Sequence, residues 1–423
     1  MFFMDKAFVG KAFMDKDCMD KDLGTTFMTA LHINHVRHLK DIHIPLSTKE
    51  RKSLILTGKN GSGKTSVLES LKQFLEYVIS ESCSSKSECE QQLSQWQAWS
   101  LMSDENKQYI QMYQQRYQYW IDGAMGEYPS YDKLRIKYQT GDYILAYYGD
   151  CRKIEVQISN NIEKVDLKEV YALTERPSQQ LVKYLVNLKT TQAFAQTSGD
   201  QQRAREIQNW FDRFEGVLRT IYADESLKLN FDIETFQFTI QQDNREPFDF
   251  NSMSMGYAAV FDIVGDLMMR MEKRRRYDVE GLVLIDEIES HLHVELQKNI
   301  VPILMQLFPN IQFVLTTHSP FILNSTPNAV VYDLEKGTLV EEGLTNLPYE
   351  GVVEGYFGAD LLSQELREKF NEYRTLAQKP DLTDTDYARL AELEMYLDEV
   401  PDYLALDFAT EYSRLKLELD QRG

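Results

Sequence analysis

The sequence predicts an α/β fold with a mixed sheet, helical insertions and a helical C-terminal tail. Three apolar runs support this prediction, and each ends in glycine or polar residues, at 54–65, 282–287 and 313–319. Strands buried on both faces of a parallel sheet have such continuous apolar runs. Since the carboxyl ends of parallel strands meet at one edge, where ligands bind, we expect these three segments to form one site.

The first run enters a glycine-rich loop with the spacing of a phosphate-binding P-loop: Gly58-Lys59-Asn60-Gly61-Ser62-Gly63-Lys64-Thr65-Ser66. Its three glycines let the backbone approach a polyphosphate, and the N–H groups of the loop and of the next helix attract the anion. Lys64 can reach the β- and γ-phosphates, and Thr65 offers a hydroxyl to Mg²⁺. An apolar helix face follows at Val67, Leu68 and Leu71. The loop therefore predicts a P-loop NTPase that binds ATP and Mg²⁺.

The second and third runs supply the other polar tips of the predicted site. The apolar residues 281–285 are followed by Asp286 and Glu287. Asp286 can hold the Mg²⁺ shell, and Glu287 can orient or deprotonate an attacking water. The strand at 313–317 ends at His318, which can contact a γ-phosphate and sense its loss. A single histidine after a strand is weak support by itself. It becomes stronger when three strand tips meet at one nucleotide.

The chain divides into segments by its hydrophobic patterning. Residues 1–27 are an N-terminal extension that is either disordered or the result of a wrongly assigned translation start. The core consists of a lobe with the P-loop (28–77), strands at 136–164 and a last part at 226–345, and helical insertions separate these parts at 78–135 and 165–225. An acidic helical tail follows at 346–423. A partner-binding arm is the alternative for the extension. The tail is either a solvated cap or a docking surface for another protein.

Two features within these segments have competing interpretations. Alternation over 31–46 predicts two strands that feed the P-loop strand, with four histidines at His32, His35, His38 and His43. We interpret them as exposed strand side chains, because their spacings do not place a metal-ligand set on one strand face. The aromatic series Tyr109, Tyr113, Tyr117 and Trp120 lies on one helix face. Helix packing or a subunit contact is favoured over base stacking, since basic residues do not interleave with it.

Composition narrows the function classes. A formal net charge of −20 over 423 residues disfavours nonspecific DNA binding, which requires basic surface, although a local basic groove stays compatible. The four cysteines show no paired spacing, which favours reduced thiols in a cytoplasmic protein. No apolar run is long enough for a membrane span.

These motifs together resemble the ABC-type ATPase heads of the SMC, RecF, Rad50 and OLD-like class over about residues 28–345. The loop at 58–65 resembles their Walker A motif, Asp286-Glu287 their Walker B pair, 289–293 their D-loop, and His318 their switch histidine. The resemblance implies a homodimer or larger even assembly, in which two heads enclose two nucleotides. Ser254 and Gly256 would then close over the ATP of the other subunit.

Two positions depart from that family. The signature motif, usually Leu-Ser-Gly-Gly, is Met253-Ser254-Met255-Gly256 here, so only Ser254 and Gly256 match. The Q-loop glutamine is not identifiable; Asp150 or Arg152 could replace it, and a plain strand exit is the alternative. The segment between 66 and 252 is also too short for the long coiled-coil arms of true SMC proteins.

Compact relatives of this class include OLD-like ATPases and stand-alone ATPases of bacterial defence systems. OLD proteins carry a Toprim nuclease domain after the head. This chain continues into a short helical tail, which lacks the clustered acidic residues at strand ends that a Toprim domain needs. The layout is most similar to the ATPase subunit of the PARIS anti-phage system. This similarity implies a sensor or regulatory ATPase that responds to a phage-encoded trigger and controls a separate effector protein, for which a Toprim-type nuclease is the candidate. A DNA-repair or DNA-clamping ATPase and an ATP-gated scaffold with little turnover remain alternatives.

Overall fold

The computed structural model describes residues 24–98, 104–149, 163–243, 245–326, 328–341, 343–345, 351, 364–379, 381–398 and 406–420. The chain divides into two compact units, Met1–Asn346 and Leu347–Gly423. The strands of the first unit are β1 (Ala30–Val36), β2 (Leu39–Pro45), β3 (Ser53–Thr57), β4 (Gly123–Glu127), β5 (Tyr143–Tyr148), β6 (Lys228–Asp232), β7 (Gln237–Gln241), β8 (Phe248–Asp249), β9 (Glu280–Ile285), β10 (Ile311–Thr316), β11 (Ala329–Asp333) and β12 (Thr338–Val340).

The helices of the first unit are α1 (Lys64–Ile79), α2 (Lys86–Ala98), α3 (Asp104–Ile121), α4 (Tyr131–Gln139), α5 (Leu181–Thr197), α6 (Gln201–Tyr222), α7 (Met255–Glu272), α8 (Val294–Leu307) and α9 (Pro320–Ser325). The second unit contains α10 (Gln364–Ala377), α11 (Asp384–Leu397) and α12 (Leu406–Asp420). None of the described helices is long and apolar enough to cross a membrane.

The central sheet is mixed, as predicted, with the strand order β12-β11-β3-β10-β9-β5. The four pairings that join β11, β3, β10, β9 and β5 are parallel, and β12 pairs with β11 in the antiparallel direction. β10 lies between β3 and β9, with Leu315 opposite both Ile55 and Ile285. This register brings the carboxyl ends of the three strands to the same edge of the sheet, where the predicted polar tips follow.

A buried ion pair within helix α7 is hydrogen-bonded to this sheet. Arg270 Nε donates to Asp266 Oδ2 at 2.7 Å, and both side chains are almost fully buried. The Tyr148 hydroxyl, at the end of β5, donates to the same carboxylate oxygen at 2.7 Å. The guanidinium also donates to the carbonyls of Ala172 and Glu175. Because buried charges are tolerated when they are paired and hydrogen-bonded, this network gives α7 a defined position beside β5.

The structure corrects the prediction that β1 and β2 feed the P-loop strand. They form a separate antiparallel sheet of order β2-β1-β4. Strand β4 lies within the segment 78–135 that we expected to be mostly helical. Its sequence, Gly-Ala-Met-Gly-Glu, has little intrinsic preference for a strand, so pairing with β1 and a hydrogen bond from Ala124 N to Ser70 Oγ at 2.8 Å decide its conformation.

A second correction concerns the start of the segment 136–164, where we expected strands. Helix α4 continues to Gln139, and only Tyr143–Tyr148 forms a strand among the described residues of this segment. Ser130 caps α4 by accepting from Lys133 N, and Asp132 lies in its first turn, near the positive end of the helix dipole. The capping residue Ser130 lies six residues before the predicted boundary at 136.

The predicted extension 1–27 is packed from Gly24 onward, which is a third correction; residues 1–23 lie outside the described part of the chain. Thr26 N donates to Glu280 Oε2 at 3.1 Å, and Lys137 Nζ donates to the carbonyl of Gly24 at 2.8 Å. Phe27 is buried, and Met28 is fully buried. Hydrogen bonds to a core strand thus fix the chain before Met28.

In α3, packing explains most of the aromatic series. Trp120 is buried and donates from Nε1 to the Ser84 carbonyl at 2.9 Å, and the Tyr117 hydroxyl donates to Glu90 at 3.0 Å. Tyr113 packs against the core and Tyr109 is half exposed.

The described part of the second unit is helical. Its core consists of Phe370, Tyr373, Ala377, Leu390, Leu393, Leu397, Tyr412 and Leu415. A capping box starts α11, in which Thr383 and Asp386 each accept a backbone N–H of the other.

Two glycine substitutions test the packing of the central sheet. A Cβ at Gly281 in β9 would lie 2.6 Å from the Ile144 carbonyl oxygen and 2.7 Å from Ile311 Cδ1, so Gly281→Ala should destabilise the protein by about 1–3 kcal/mol.

Gly216 lies inside α6, and a Cβ placed there would have no neighbouring atom within 4 Å outside its own helix backbone. Gly216→Ala should therefore stabilise by about 0.5–1 kcal/mol. Urea unfolding followed by circular dichroism measures both, and equal stability of G281A and wild type would contradict this packing.

Candidate functional site

The glycine-rich loop turns tightly between β3 and α1. Gly58 has φ 135°, and a Cβ there would lie 2.8 Å from Ser62 Oγ. Gly63, the N-cap of α1, has φ 100°, and a Cβ there would lie 2.9 Å from Leu39 Cδ1. Both backbone conformations are ones that only glycine adopts readily. The loop is thus closed on itself with its amide groups grouped ahead of the helix N-terminus.

Lys64 is enclosed by this loop. Its side chain is nearly buried, and Nζ donates to the carbonyl oxygens of Gly58 at 2.8 Å and of Lys59 at 3.1 Å. Burial lowers the pKa of Lys64 from its ordinary value, while the carboxylates of Glu287, Glu289, Asp286 and Asp333 oppose that shift. The ammonium group therefore lies in the first turn of α1 with carboxylates of the neighbouring strand ends within electrostatic range.

Three buried polar atoms in this region have no hydrogen-bond partner among the described residues: Thr57 Oγ1, Ser62 Oγ and Glu289 Oε2. Buried polar groups are nearly always hydrogen-bonded, and the exceptions need an explanation such as a bound ligand or water. A hydroxyl in the turn of a glycine-rich loop fits the oxygen of a phosphate group. The loop residues thus match a polyphosphate in shape, charge and hydrogen-bonding capacity.

A threonine links the two acidic residues after β9. The Thr316 hydroxyl donates to Asp286 Oδ1, and the backbone N–H of Glu287 donates to Thr316 Oγ1 at 2.7 Å. Asp286 is nearly buried, and its own N–H donates to the carbonyl of Tyr148 at 2.8 Å. Glu287 is half-buried and has φ 45°, which is unusual for a residue other than glycine. The Asp286 carboxylate and the backbones of both residues are therefore held by the neighbouring strands.

His318 follows β10 and is held by a third acidic residue. Its backbone N–H donates to Glu289 Oε1 in a short hydrogen bond. Burial lowers the pKa of the His318 imidazole, and the positive charge of Lys64 lowers it further. The ring is therefore neutral near pH 7, a form that offers both a donor and an acceptor to a phosphate or a water.

The structure brings the loop, Asp286, Glu287 and His318 to one edge of the sheet. Thr65, Asn60 and Gly61 are exposed and Ser66 is half-exposed at this edge. The residues that could hold Mg²⁺ are Thr65 and Asp286, as a hydroxyl and a carboxylate oxygen suit this hard cation. Asp150 and Arg152 lie outside the described residues.

Ser254 and Gly256 lie at the N-terminus of α7. Ser254 is the exposed N-cap, and its side chain caps no backbone N–H. Gly256 packs closely on the loop after Glu287, since a Cβ there would lie 3.1 Å from the His291 carbonyl oxygen and from Leu296 Cδ1. The first turn of a helix has backbone N–H groups without partners inside the helix, and Ser254 is exposed beside them. The role of Ser254 and Gly256 in contact with a ligand held by another subunit stays a prediction.

Two contacting residues were missed by the motif analysis. Thr316 is the last residue of an apolar strand, and its hydroxyl there was a usable signal. Glu335, in the turn after β11, accepts from Lys59 N at 3.3 Å and from Lys59 Nζ at 2.9 Å. It holds the outer side of the P-loop, and nothing in the local sequence of residues 333–337 indicates that contact.

Comparison with known proteins finds a match to one described domain family over part of the chain. Residues 131–324 match the family described as "AAA domain, putative AbiEii toxin, Type IV TA system". The match includes Ser254, Asp286, Glu287 and His318, and the P-loop precedes it.

Two curated proteins are similar over shorter regions. The chain is 34% identical to the Septu protein PtuA of Bacillus mycoides (strain KBAB4) over 151 residues, which are 34% of this chain and 21% of that protein. It is 27% identical to the Retron Ec83 probable ATPase of Escherichia coli over 182 residues, which are 40% of this chain and 32% of that protein. The chain thus spans about a fifth and about a third of these two relatives.

Among solved structures, an SMC head bound to the C-winged helix domain of ScpA covers 75% of this chain and 98% of that chain. The identity is 11% and the TM-score is 0.38. A similarity this weak adds no evidence about the fold beyond the strand order described above.

The pKa of His318 can be measured directly. Its resonance, assigned with His318→Gln, should titrate below the ordinary histidine midpoint of about 6.5 in nucleotide-free protein. Well above pH 6.5 the imidazole is neutral in both the folded and the unfolded state. As pH falls below that value the unfolded chain takes up the proton first, so wild type should lose stability relative to H318Q. An NMR midpoint above 6.5 would contradict the burial described here.

Proposed function

We propose that this chain, which carries an ABC-type ATPase head of the SMC-like class, binds Mg-ATP where β3, β10 and β9 end and hydrolyses it. The observation that supports this most strongly is the nearly buried Lys64 ammonium. Its loop contains buried hydroxyls that have no partner among the described residues, and four carboxylates lie within electrostatic range. Phosphoryl transfer depends mainly on positioning and electrostatic stabilisation. The arrangement offers both at one edge of the sheet.

The protein residues have separable roles in this proposal. Lys64 exchanges its bonds to loop carbonyls for bonds to phosphate oxygens, and Ser62 and the loop amides bind the same anion. Thr65 and Asp286 hold the Mg²⁺, which when bound neutralises charge on the phosphates. Glu287, held by Thr316 through its backbone, orients or deprotonates the attacking water. His318 contacts the γ-phosphate as a neutral ring and responds to its loss.

Nucleotide-dependent association is the second part of the proposal. The N-terminus of α7 offers backbone donors and the Ser254 hydroxyl, a combination that attracts a phosphate. In a dimer of two heads, Ser254 and Gly256 of one subunit would cover the ATP of the other. Binding energy for the γ-phosphate would then favour the associated state, which makes the assembly sensitive to hydrolysis.

We further propose that the ATPase belongs to a bacterial anti-phage defence complex and regulates a separate effector protein. Similarity to a Septu protein and to a retron ATPase supports this context. The acidic tail is a plausible docking surface for the effector, which could be a nuclease. The PARIS layout stays a prediction, because the matched relatives come from other systems. A DNA-clamping ATPase is the second candidate, and the net charge of −20 disfavours it.

Removal of the loop lysine tests nucleotide binding. Lys64→Ala should abolish ATP binding in isothermal titration, because the buried ammonium supplies the charge that faces the phosphates. Lys59→Ala is the matched control, since Lys59 belongs to the same loop but its side chain is 80% exposed and paired with Glu335. Unchanged ATP affinity in K64A would refute the assignment of this loop.

Substitution of the acidic residue after Asp286 tests hydrolysis. Glu287→Gln keeps the shape of the side chain but removes its basicity, so ATP binding should persist while turnover falls about 10²–10⁴-fold. Glu289→Gln serves as the comparison, because Glu289 contacts the backbone of His318. If E287Q released phosphate at the wild-type rate and E289Q did not, the roles of these two residues would have to be exchanged.

Association is best measured in the slow variant. E287Q with ATP and Mg²⁺ should form a dimer or larger even assembly in light scattering, and E287Q with ADP should not. Ser254→Arg in the E287Q background should prevent association and leave ATP binding intact. Assembly that is the same with and without ATP would contradict the trans role of Ser254.

A further inference from the structure

A second candidate site lies on the β2-β1-β4 sheet, away from the motifs discussed above. Its candidate ligands are His32 on β1, His43 on β2 and Glu127 on β4, whose ligand atoms all lie within 4.8 Å of one another. We propose that these three residues bind a single Zn²⁺ ion. This proposal does not depend on the nucleotide site.

The strand register explains why these side chains meet. His32 is directly opposite His43 in the β1–β2 pairing, and their ring centroids are 4.4 Å apart. In the β1–β4 pairing His32 is opposite Met125, so Glu127 is its diagonal neighbour on the same face. The sequence prediction assigned no ligand set because it considered spacing along one strand. Each ligand instead comes from a different strand.

The sheet holds these ligands on a rigid support. Its other face is covered by core residues, and Leu31, Ile33 and Ile44 beside the two histidines are fully buried. Ala124 of β4 is bonded to Ser70 of α1. Two of the three candidate side chains are exposed and His32 is half-exposed, so a metal ion and water can reach them. Only side-chain rotation is needed to close the site.

The ligand spacing fits zinc. His32 Nε2 and Glu127 Oε2 are 3.0 Å apart. Bonds of about 2.0–2.2 Å in a tetrahedral site place neighbouring ligand atoms roughly 3.3 Å apart, so these two atoms already have nearly the required separation. His43 would turn toward them, and water would take the fourth position. Imidazole nitrogen favours Zn²⁺ over Mg²⁺ or Ca²⁺, which prefer oxygen ligands.

A bound ion would connect all three strands of this sheet. The β1–β2 turn contacts the glycine-rich loop, because a Cβ at Gly63 would lie 2.9 Å from Leu39 Cδ1 and 3.8 Å from His38 Cε1. The zinc site would therefore stabilise the surface on which the loop rests. It is placed to act as a structural clamp for the β2-β1-β4 sheet.

Zinc titration of chelator-treated full-length protein tests the proposal. Excess Mg²⁺ is kept present so that Thr65 and Asp286 do not compete for the added metal. Wild type should bind about one equivalent of Zn²⁺ at low micromolar concentration, and zinc should raise the unfolding temperature. His32→Ala and His43→Ala should each weaken zinc binding by about tenfold or more. Even substitutions of residues that only hydrogen-bond to metal ligands usually lower metal affinity by about that factor.

His35→Ala is the matched control. His35 is on the same strand, but its Nδ1 pairs with Asp122 at 3.4 Å and it is outside the proposed ligand set. H35A should bind zinc as wild type does, and circular dichroism should show that all three variants are folded. The proposal is overturned if wild type binds no zinc at micromolar concentration, if H43A binds it unchanged, or if H35A loses it equally.

Discussion

The candidate site of the first unit is organised around a positive charge kept inside a closed loop at the edge of the parallel strands. Lys64 loses most of its hydration there, and its pKa falls as a result. The loop carbonyls and the acidic residues that follow β9 compensate in part. An ammonium group in this position is stabilised further by any anion that enters, which links the stability of the site to its ligand.

The buried framework positions the groups around that charge. β10 lies between β3 and β9, so Thr316 can bond to Asp286 on one side and Thr317 to the backbone of Leu56 on the other. Tyr148 contacts Asp286 through its carbonyl and Asp266 through its hydroxyl. A continuous path of hydrogen bonds therefore runs from Asp286 to α7, the helix that carries Ser254. This path gives a physical route by which a change at the phosphates could reach the surface predicted to contact a second subunit.

Much of this arrangement was predictable from local sequence. Apolar runs with polar tips are local features, and they predicted β3, β9, β10 and their common edge. Strand β4 was not predictable in this way, because pairing with β1 decides its conformation. The contact of Glu335 with Lys59 and the meeting of His32 with His43 also depend on residues far apart or on cross-strand register. Spacing along one strand does not encode either of them.

The most direct test of the central claim is a crystal structure of E287Q grown with ATP and Mg²⁺. We expect Lys64 Nζ to leave the Gly58 carbonyl, which it now contacts at 2.8 Å, and to bind a phosphate oxygen between Asp286 and His318. A structure with saturating ATP in which Lys64 keeps its bond to Gly58, and the nucleotide is absent or bound elsewhere, would contradict the account.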